Sequence, residues 1–465
     1  MASGGARAED VFSGLLDSIP ETPPLTWEGV TLYGNIDTSV QYQSRGTPQD
    51  SHLYSTLGII APQSRKAMIV AADNQASQSL IGLRTEQDLG YDVKFLGKLE
   101  MGFNPTSLQL SDALGSIRDQ NGITTAHQST SADGPRAGQV LNGDAYGGFS
   151  SPRFGTITVG RQSTLSTDSL ATYDPLFSYG FSLVGYQGIA GGQGGSEDVR
   201  VDSSVKYGYT LGPAHASFLY AAPDSSVKRM WQAKAGFTWE GFSLDAVGGR
   251  AYDEISPSAL SGAANFGSPY IGAKVFDTAM TGVFGAYKHD ISPESNLTAS
   301  VGWERIDFSN PSDGGWWPGH SIIGGYTLGP SYSANGMGSG GVVNYGFTGG
   351  DRVLNIMLGT LKYQADPKWS FRVGYYRYAQ NSFGFGVPVV APRSSALYSR
   401  TSCSSSLYAN CAGTEQVYGL RVDYQLNRNI TLYTGMAYSS VGDGLAFGYL
   451  HSASIDPTAG LKLTF

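Results

Sequence analysis

The chain has 465 residues, a formal net charge of −8, 63 glycines and 28 tyrosines, and only 15% of its residues are charged. No stretch approaches the ~18 consecutive apolar residues that a membrane-spanning helix needs, so the composition excludes a helical membrane protein. Basic runs interleaved with aromatic residues are also missing from the sequence, which argues against a nucleic-acid partner.

Residues 1–27 are interpreted as an extension that precedes the main domain at 28–465. No apolar leader core is recognisable in Met1–Asp10, so we expect no secretory signal there. Asp10 is placed to cap a short amphipathic turn that the Pro-rich segment 20–24 ends, and disorder is an equal alternative. The sequence therefore predicts either a short helix or no fixed structure in this extension.

Strand patterns begin at Val30. From Val30 to Tyr42 the even positions are mostly apolar and the odd positions mostly polar, which is the two-residue period of a strand with one apolar face. The strands run to about 10–13 residues, the length that a tilted strand needs to cross a bilayer. The same alternation recurs along the chain at 231–239, 297–304, 418–426, 430–438 and 461–465.

Short and long connections alternate between these strands. Short turns are predicted at 88–91, 152–154, 211–213, 240–241, 291–294, 366–368 and 427–429. Long polar connections are predicted at 44–76, 104–141, 163–197, 222–228, 254–278, 309–351, 382–414 and 442–452. Fifteen connections between consecutive strands give 16 strands. The alternation of short and long connections matches the short periplasmic turns and long extracellular loops of outer-membrane barrels. We therefore predict an all-β fold, a 16-stranded antiparallel transmembrane β-barrel without a free sheet edge.

The two cysteines, Cys403 and Cys411, lie close together in a Ser-rich segment. Such a pair in a polar loop favours a disulfide formed in an oxidising compartment, with two free thiols as the alternative. The six histidines are scattered along the sequence, so no metal site and no cofactor are expected.

Several segments together resemble one family, the Gram-negative general porins. Residues 81–90 and 99–104 resemble the second and third strands of that family, and 147–156 with 160–162 resemble the strand-turn-strand before its constriction loop. Tyr173-Asp174-Pro175 resembles the start of that loop, and 456–465 resembles the last strand. The resemblance covers roughly residues 28–465, and the loop lengths resemble a proteobacterial subfamily with enlarged loops.

The resemblance implies an outer-membrane porin, a water-filled channel for passive diffusion of ions and small hydrophilic solutes. It implies a homotrimer in contact with the lipid bilayer and lipopolysaccharide, and no catalysis. The third extracellular loop, 163–197, would fold into the lumen as the constriction loop. Phe465 would serve as a terminal aromatic assembly signal.

The resemblance also suggests which charges face one another at the constriction. Basic wall residues opposite acidic loop residues would create a transverse field that orients dipolar solutes. The small excess of basic groups suggests a mild preference for anions. The predicted residues are Arg84, Arg161 and Arg200 on the basic side, Lys94 and Lys98 beside Glu100, Asp168 and Asp174 on the loop, and Asp37 as an inward carboxylate on the first strand.

Two assignments at the constriction carry alternatives. Strict alternation from Ile157 and Val159 points Arg161 toward lipid, so an inward Arg161 requires a β-bulge. Tyr33 and Tyr433 are expected to pack against neighbouring lumen side chains, and stacking on sugars is the second interpretation of both.

Other functions remain open at this point. The main alternative is a substrate-selective channel for sugars or organic acids. A barrel enzyme would need a Ser/His or Asp/His set at its rim, and the sequence nominates none. A soluble extracellular β protein would share the alternation but would fold without detergent.

Overall fold

The computed structural model describes most of the chain at the level of single residues. The described residues are 23–44, 67–106, 108, 140–178, 180–184, 200–223, 227–258, 270–313, 322–323, 326–328, 332–333, 342–344, 350–383, 411–446 and 451–465.

In the described part of the chain, sixteen strands form the wall and a short α-helix lies inside it. The second strand, β2, consists of two segments that both pair with the first. The strands are β1 Val30–Gln43, β2 Met68–Asp73 and Leu80–Asp88, β3 Lys94–Gly102, β4 Ala145–Ser151, β5 Gly155–Ser163, β6 Arg200–Leu211, β7 Ala214–Ala221, β8 Arg229–Trp239, β9 Phe242–Ser258, β10 Tyr270–Asp290, β11 Asn296–Ser309, β12 Arg352–Gln364, β13 Trp369–Gln380, β14 Gly413–Gln425, β15 Ile430–Asp443 and β16 Ala453–Thr464. The helix, α1, spans Leu165–Tyr173.

The sheet closes on itself. Each strand pairs antiparallel with the next one in the sequence, and β16 pairs antiparallel with β1, with Leu463 opposite Ile36. This closure leaves neither β1 nor β16 as an edge, so the backbone groups of the wall find partners within it. The predicted 16-stranded antiparallel barrel is confirmed.

The two faces of the wall differ as the alternation predicted. Outward side chains are apolar and exposed, for example Val40 on β1 and Leu361 on β12. Inward side chains of β1 are polar and buried, among them Asp37 and Gln41. An apolar outer face with a polar inner face is what a strand between lipid and a lumen requires. Among the described residues, no helix has the length and apolarity to cross a membrane.

Aromatic side chains cluster on the outer face near one set of turns. The rings of Phe242 and Tyr287 lie 4.3 Å apart, and those of Trp369 and Tyr424 lie 4.7 Å apart. Trp239, next to the same turns, is also exposed. Such rings sit at the interface between hydrocarbon and water, so this end of the wall carries an aromatic girdle.

The seven predicted short turns all join consecutive strands. Three predicted long connections were partly wrong, because they contain strand. Met68–Asp73 lies in the predicted loop 44–76, and β9 and β10 continue into the predicted loop 254–278. The latter two strands stay paired beyond a bulge between Ala251 and Glu254, which interrupts the alternation that sequence reading relies on. The predicted loop 309–351 likewise contains short strands at 322–323, 326–328, 332–333 and 342–344.

A short strand precedes the wall. Leu25–Trp27 turns back through Glu28 and Gly29, both with positive φ, and pairs with Val30–Leu32. This strand belongs to the predicted extension 1–27, whose residues 1–22 lie outside the described part of the chain.

The described part of the connection between β5 and β6, residues 164–178 and 180–184, folds into the barrel as predicted and is here called the lumen loop. The hydroxyl of Thr164 accepts a hydrogen bond from the amide of Thr167 and so caps α1, which begins the loop. Tyr173 stacks on Phe284 of the inner wall at 5.8 Å, and Leu165 and Leu170 are buried in the same apolar cluster. The loop is therefore packed against the wall by a hydrophobic core.

Candidate pore constriction

Residues 74–79 connect the two segments of β2 and fold inward into the lumen. This segment is here called the inlet. The carboxylate of Asp37 accepts hydrogen bonds from the amides of Ala76 (2.7 Å) and Ser77 (2.6 Å). The amide of Gly180 in the lumen loop donates to the carbonyl of Gln75 at 3.0 Å. The inlet thus joins β1 to the lumen loop.

Asp37 points inward as predicted, but it is fully buried. Besides the two inlet amides, the hydroxyl of Tyr433 donates to it at 2.5 Å. Carboxylate oxygens held in this way fix a backbone segment. Asp37 therefore anchors the inlet and does not face an open pore, which corrects its expected place among the constriction residues.

Asp174 is also an anchor and was wrongly placed on the acidic side of the constriction. Only 1% of its surface is exposed. It accepts hydrogen bonds from the amide of Leu176 (2.9 Å), the hydroxyl of Ser182 (2.5 Å) and the hydroxyl of Tyr376 on β13 (2.7 Å). Burial raises the pKa of the Asp174 carboxyl, although these hydrogen bonds oppose the rise.

Inner side chains of β1, β3 and β6 meet Asp144, the residue before β4, in one polar network. Lys98 contacts Glu100 at 2.9 Å and Asp144 at 2.8 Å. The guanidinium of Arg200 contacts Asp144 at 2.6 Å, and the hydroxyl of Tyr33 donates to Glu100 at 2.7 Å. The structure therefore brings together Lys98, Glu100 and Arg200, three of the predicted site residues.

Arg84 on β2 lies beside this network. Its guanidinium is 5.3 Å from the centre of the Tyr33 ring, a cation–π distance. In the described part of the chain Arg84 is exposed and forms no ion pair. It is therefore an available positive charge on the inner wall.

Asp144 is the residue of this network that sequence reasoning missed. It immediately precedes β4, just after the predicted loop 104–141, where alternation gives no signal. Burial acts to raise its pKa, but the charges of Arg200 and Lys98 prevail and hold the pKa of Asp144 below its ordinary value. Asp144 is therefore the carboxylate that joins Lys98 to Arg200.

The exposed side of α1 consists of Asp168, Ala171 and Thr172, which the i, i+3, i+4 spacing places on one helix face. Asp168 forms an ion pair of 2.5 Å with Lys206 on β6. Lys206 was also missed, although its alternation with outward Val205 and Tyr207 indicated an inner position. Arg200 of the polar network lies opposite Ser163 of β5, whose hydroxyl donates to Asp168 at 2.6 Å, so α1 and the polar network border the same space.

Two predicted basic residues lie elsewhere. Lys94 is exposed at the beginning of β3 and pairs with Glu86 at 2.5 Å. Arg161 is only 7% exposed, and its guanidinium contacts Asp202 at 2.8 Å and the carbonyls of Asn142 and Gly143. The anticipated bulge exists between Gly160 and Gln162. Arg161 is nevertheless buried, so it does not present a free charge to the pore.

The sequence model of the Gram-negative porin family matches residues 1–444. The chain belongs to this family. The porin is thus an outer-membrane channel for the passive diffusion of solutes.

Solved structures agree with the porin fold. OmpT of Vibrio cholerae expressed in the outer membrane is 14% identical, with 95% of this chain and 100% of that chain covered and a TM-score of 0.53. In-vitro folded V. cholerae OmpT in its trimer form is 13% identical, with 94% and 99% covered and a TM-score of 0.52. Likeness at this identity concerns the fold alone. No curated protein sequence matches the porin.

Two further predicted residues of the porin lie away from the lumen network. The backbone of Phe465 exchanges two hydrogen bonds of 3.0 Å with Gly34 of β1, so the predicted assembly signal is seated against the first strand. Cys411 is buried and disulfide-bonded. Cys403 lies outside the described residues, so its pairing with Cys411 stays a prediction.

Proposed function

We propose that this porin is a general diffusion channel for ions and small hydrophilic solutes, with its aperture between α1 and the inner wall of β2–β6. The observation that carries the proposal is the exposed face of α1, formed by Asp168, Ala171 and Thr172, beside the polar network and Arg84. A lumen bordered by both signs of charge favours hydrated polar solutes over apolar ones.

The charges of this aperture nearly cancel. Lys98 and Arg200 balance Glu100 and Asp144, and Lys206 balances Asp168. Arg84 is left as the unbalanced charge, which supports a weak preference for anions.

The reversal potential in a KCl gradient tests this aperture. With Arg84→Glu we expect a shift toward cation preference, because two units of charge change beside the path. Arg153→Glu, in the exposed turn between β4 and β5, is the matched control. Equal shifts in both variants, or none in Arg84→Glu, would place Arg84 outside the aperture.

A substrate-selective channel for sugars or organic acids is the second candidate. A sugar path needs exposed aromatic faces, but Tyr433 is buried and Tyr33 is occupied by Arg84 and Glu100. These contacts favour the general channel. Saturable block of single-channel current by low concentrations of a sugar or an organic acid would favour the selective one.

We further propose that the porin assembles as a homotrimer. The part of the outer wall that lies outside the subunit interfaces would then contact lipid and lipopolysaccharide. The trimer form of V. cholerae OmpT and the apolar outward side chains of β1 and β2, such as Val40 and Ile69, support this. Electrophoresis with and without heating, followed by light scattering in detergent, tests it. A monomer mass under non-denaturing conditions would refute the trimer. This function requires no catalytic step.

A further inference from the structure

Three inner-wall cations stand side by side on the adjacent strands β12, β13 and β14, none of which contributes to the polar network. Lys362 on β12 faces Arg372 on β13, and Arg372 faces Arg421 on β14. We call these three residues the basic row. Like charges directly opposite in a sheet are destabilising. The row therefore needs an anion to offset it.

One carboxylate of the wall supplies part of that charge. Asp423 contacts Arg372 at 2.9 Å and Arg421 at 2.9 Å, so two guanidinium groups share a single acid. Asp37 and Asp174 are within electrostatic reach of Arg421, but their oxygens are occupied by the inlet, loop and tyrosine donors described above. The basic row keeps an excess of positive charge.

A cavity of about 130 Å³ opens beside the row, enough for several water molecules. Arg372, Arg421 and Asp423 line it, and Lys462 of β16 adds a further cation. In the described part of the chain neither Lys362 nor Lys462 has an ion-pair partner. Unpaired ammonium groups on the inner wall are available to a solute.

The cavity lies between the lumen loop and the short turns. Arg372 donates to the carbonyl of Pro175 at 2.9 Å, which places the row directly beneath the loop. Pro367 and Lys368, in the turn between β12 and β13, form the other boundary.

We propose that this cavity is a binding site for a small oxyanion, a carboxylate or phosphate group held by Arg372, Arg421 and Lys462. Guanidinium groups bind such groups through paired, charge-assisted hydrogen bonds. This proposal rests on the proposed channel function and adds to it a site at which anions bind transiently before they leave the channel. Its binding is weak and rapidly reversible, as conduction requires.

Purified porin in a planar bilayer tests the site, with inorganic phosphate as the probe. Phosphate added to each side in turn, at constant KCl, should reduce the chloride current in a saturable manner. Lys462→Gln should raise the half-blocking phosphate concentration about tenfold, the effect of one charge lost a few ångströms from the ligand. Lys362 stands opposite Arg372 but does not line the cavity, so Lys362→Gln should raise this concentration less. Heat-modifiable electrophoretic mobility shows that each variant is folded.

Lys94→Gln is the matched control, because it removes the same charge on the other side of the lumen. It should change the half-blocking concentration by less than about twofold, since salt screens a distant exposed charge. A current that responds to phosphate without saturation overturns the site, as does an equal effect of Lys94→Gln and Lys462→Gln. The KCl conductance without phosphate tests the channel function by itself. A conducting porin that phosphate does not block therefore contradicts the site and leaves the channel function intact.

Discussion

Lys206 on β6 and Asp168 on α1 form an ion pair of 2.5 Å across the gap between the wall and the lumen loop. Lys206 also donates to the carbonyl of Ser163 at 3.0 Å, and the hydroxyl of Ser163 donates to Asp168 at 2.6 Å. The first turn of α1 is therefore tied to the same wall that carries the polar network.

Breaking this tie should loosen the beginning of the lumen loop. Both side chains are partly exposed, so we expect Lys206→Gln to reduce stability by only about 0.5–1 kcal/mol. The larger effect should be increased open-channel current noise, because α1 borders the aperture. Noise spectra of Lys206→Gln, Asp168→Asn and the double variant measure it. Additive effects of the two substitutions would show that the pair does not act as a unit.

The loop should also respond to pH through Asp174. Because burial raises its pKa above the ordinary value of 3.8, the neutral carboxyl is favoured in the docked loop. The stabilisation is present below the ordinary pKa and is lost as pH rises through the raised one. Thermal unfolding from acidic to neutral pH should show this loss in the wild type and a smaller slope in Asp174→Asn. An unchanged slope in that variant would assign the pH dependence to other groups.

Removing Asp144 should change ion selectivity more than folding. Asp144→Asn deletes the carboxylate shared by Lys98 and Arg200 and leaves two cations beside the aperture with Glu100 alone. We expect the reversal potential in a KCl gradient to shift toward anions. Asp366→Asn, in an exposed turn, is the control. A shift toward cations would contradict this arrangement.

Two glycines of the wall allow a test of how closely the lumen loop is seated. A Cβ at Gly419 of β14 would overlap the backbone oxygen of Phe181, whereas a Cβ at Gly359 of β12 would meet nothing within 4 Å. Gly419→Ala should therefore displace the loop, cost about 1–3 kcal/mol and alter single-channel conductance. Gly359→Ala should leave conductance unchanged. Equal conductance in both variants would mean that the loop is not fixed at Phe181.

Alternation along single strands was enough to predict the wall and the shared inner face of Lys98 and Glu100, because it depends only on neighbouring residues. Arg84 was assigned from the family resemblance. Asp144 was missed because it follows a long loop. The burial of Asp174 depends on Tyr376, 202 positions away, which no local pattern reports. Likewise Met68–Asp73 is too short to show a period, and its pairing with β1 is what makes it a strand.

The seam between β1 and β16 joins residues from opposite ends of the chain. Gln41 donates to Thr458 across a sequence separation of 417 residues. Contacts of such separation form late, since the chain entropy of a very long loop opposes them. Until β16 arrives, fifteen strands would present two unpaired borders to any other polypeptide nearby. The porin is therefore most vulnerable to aggregation just before β16 pairs with β1.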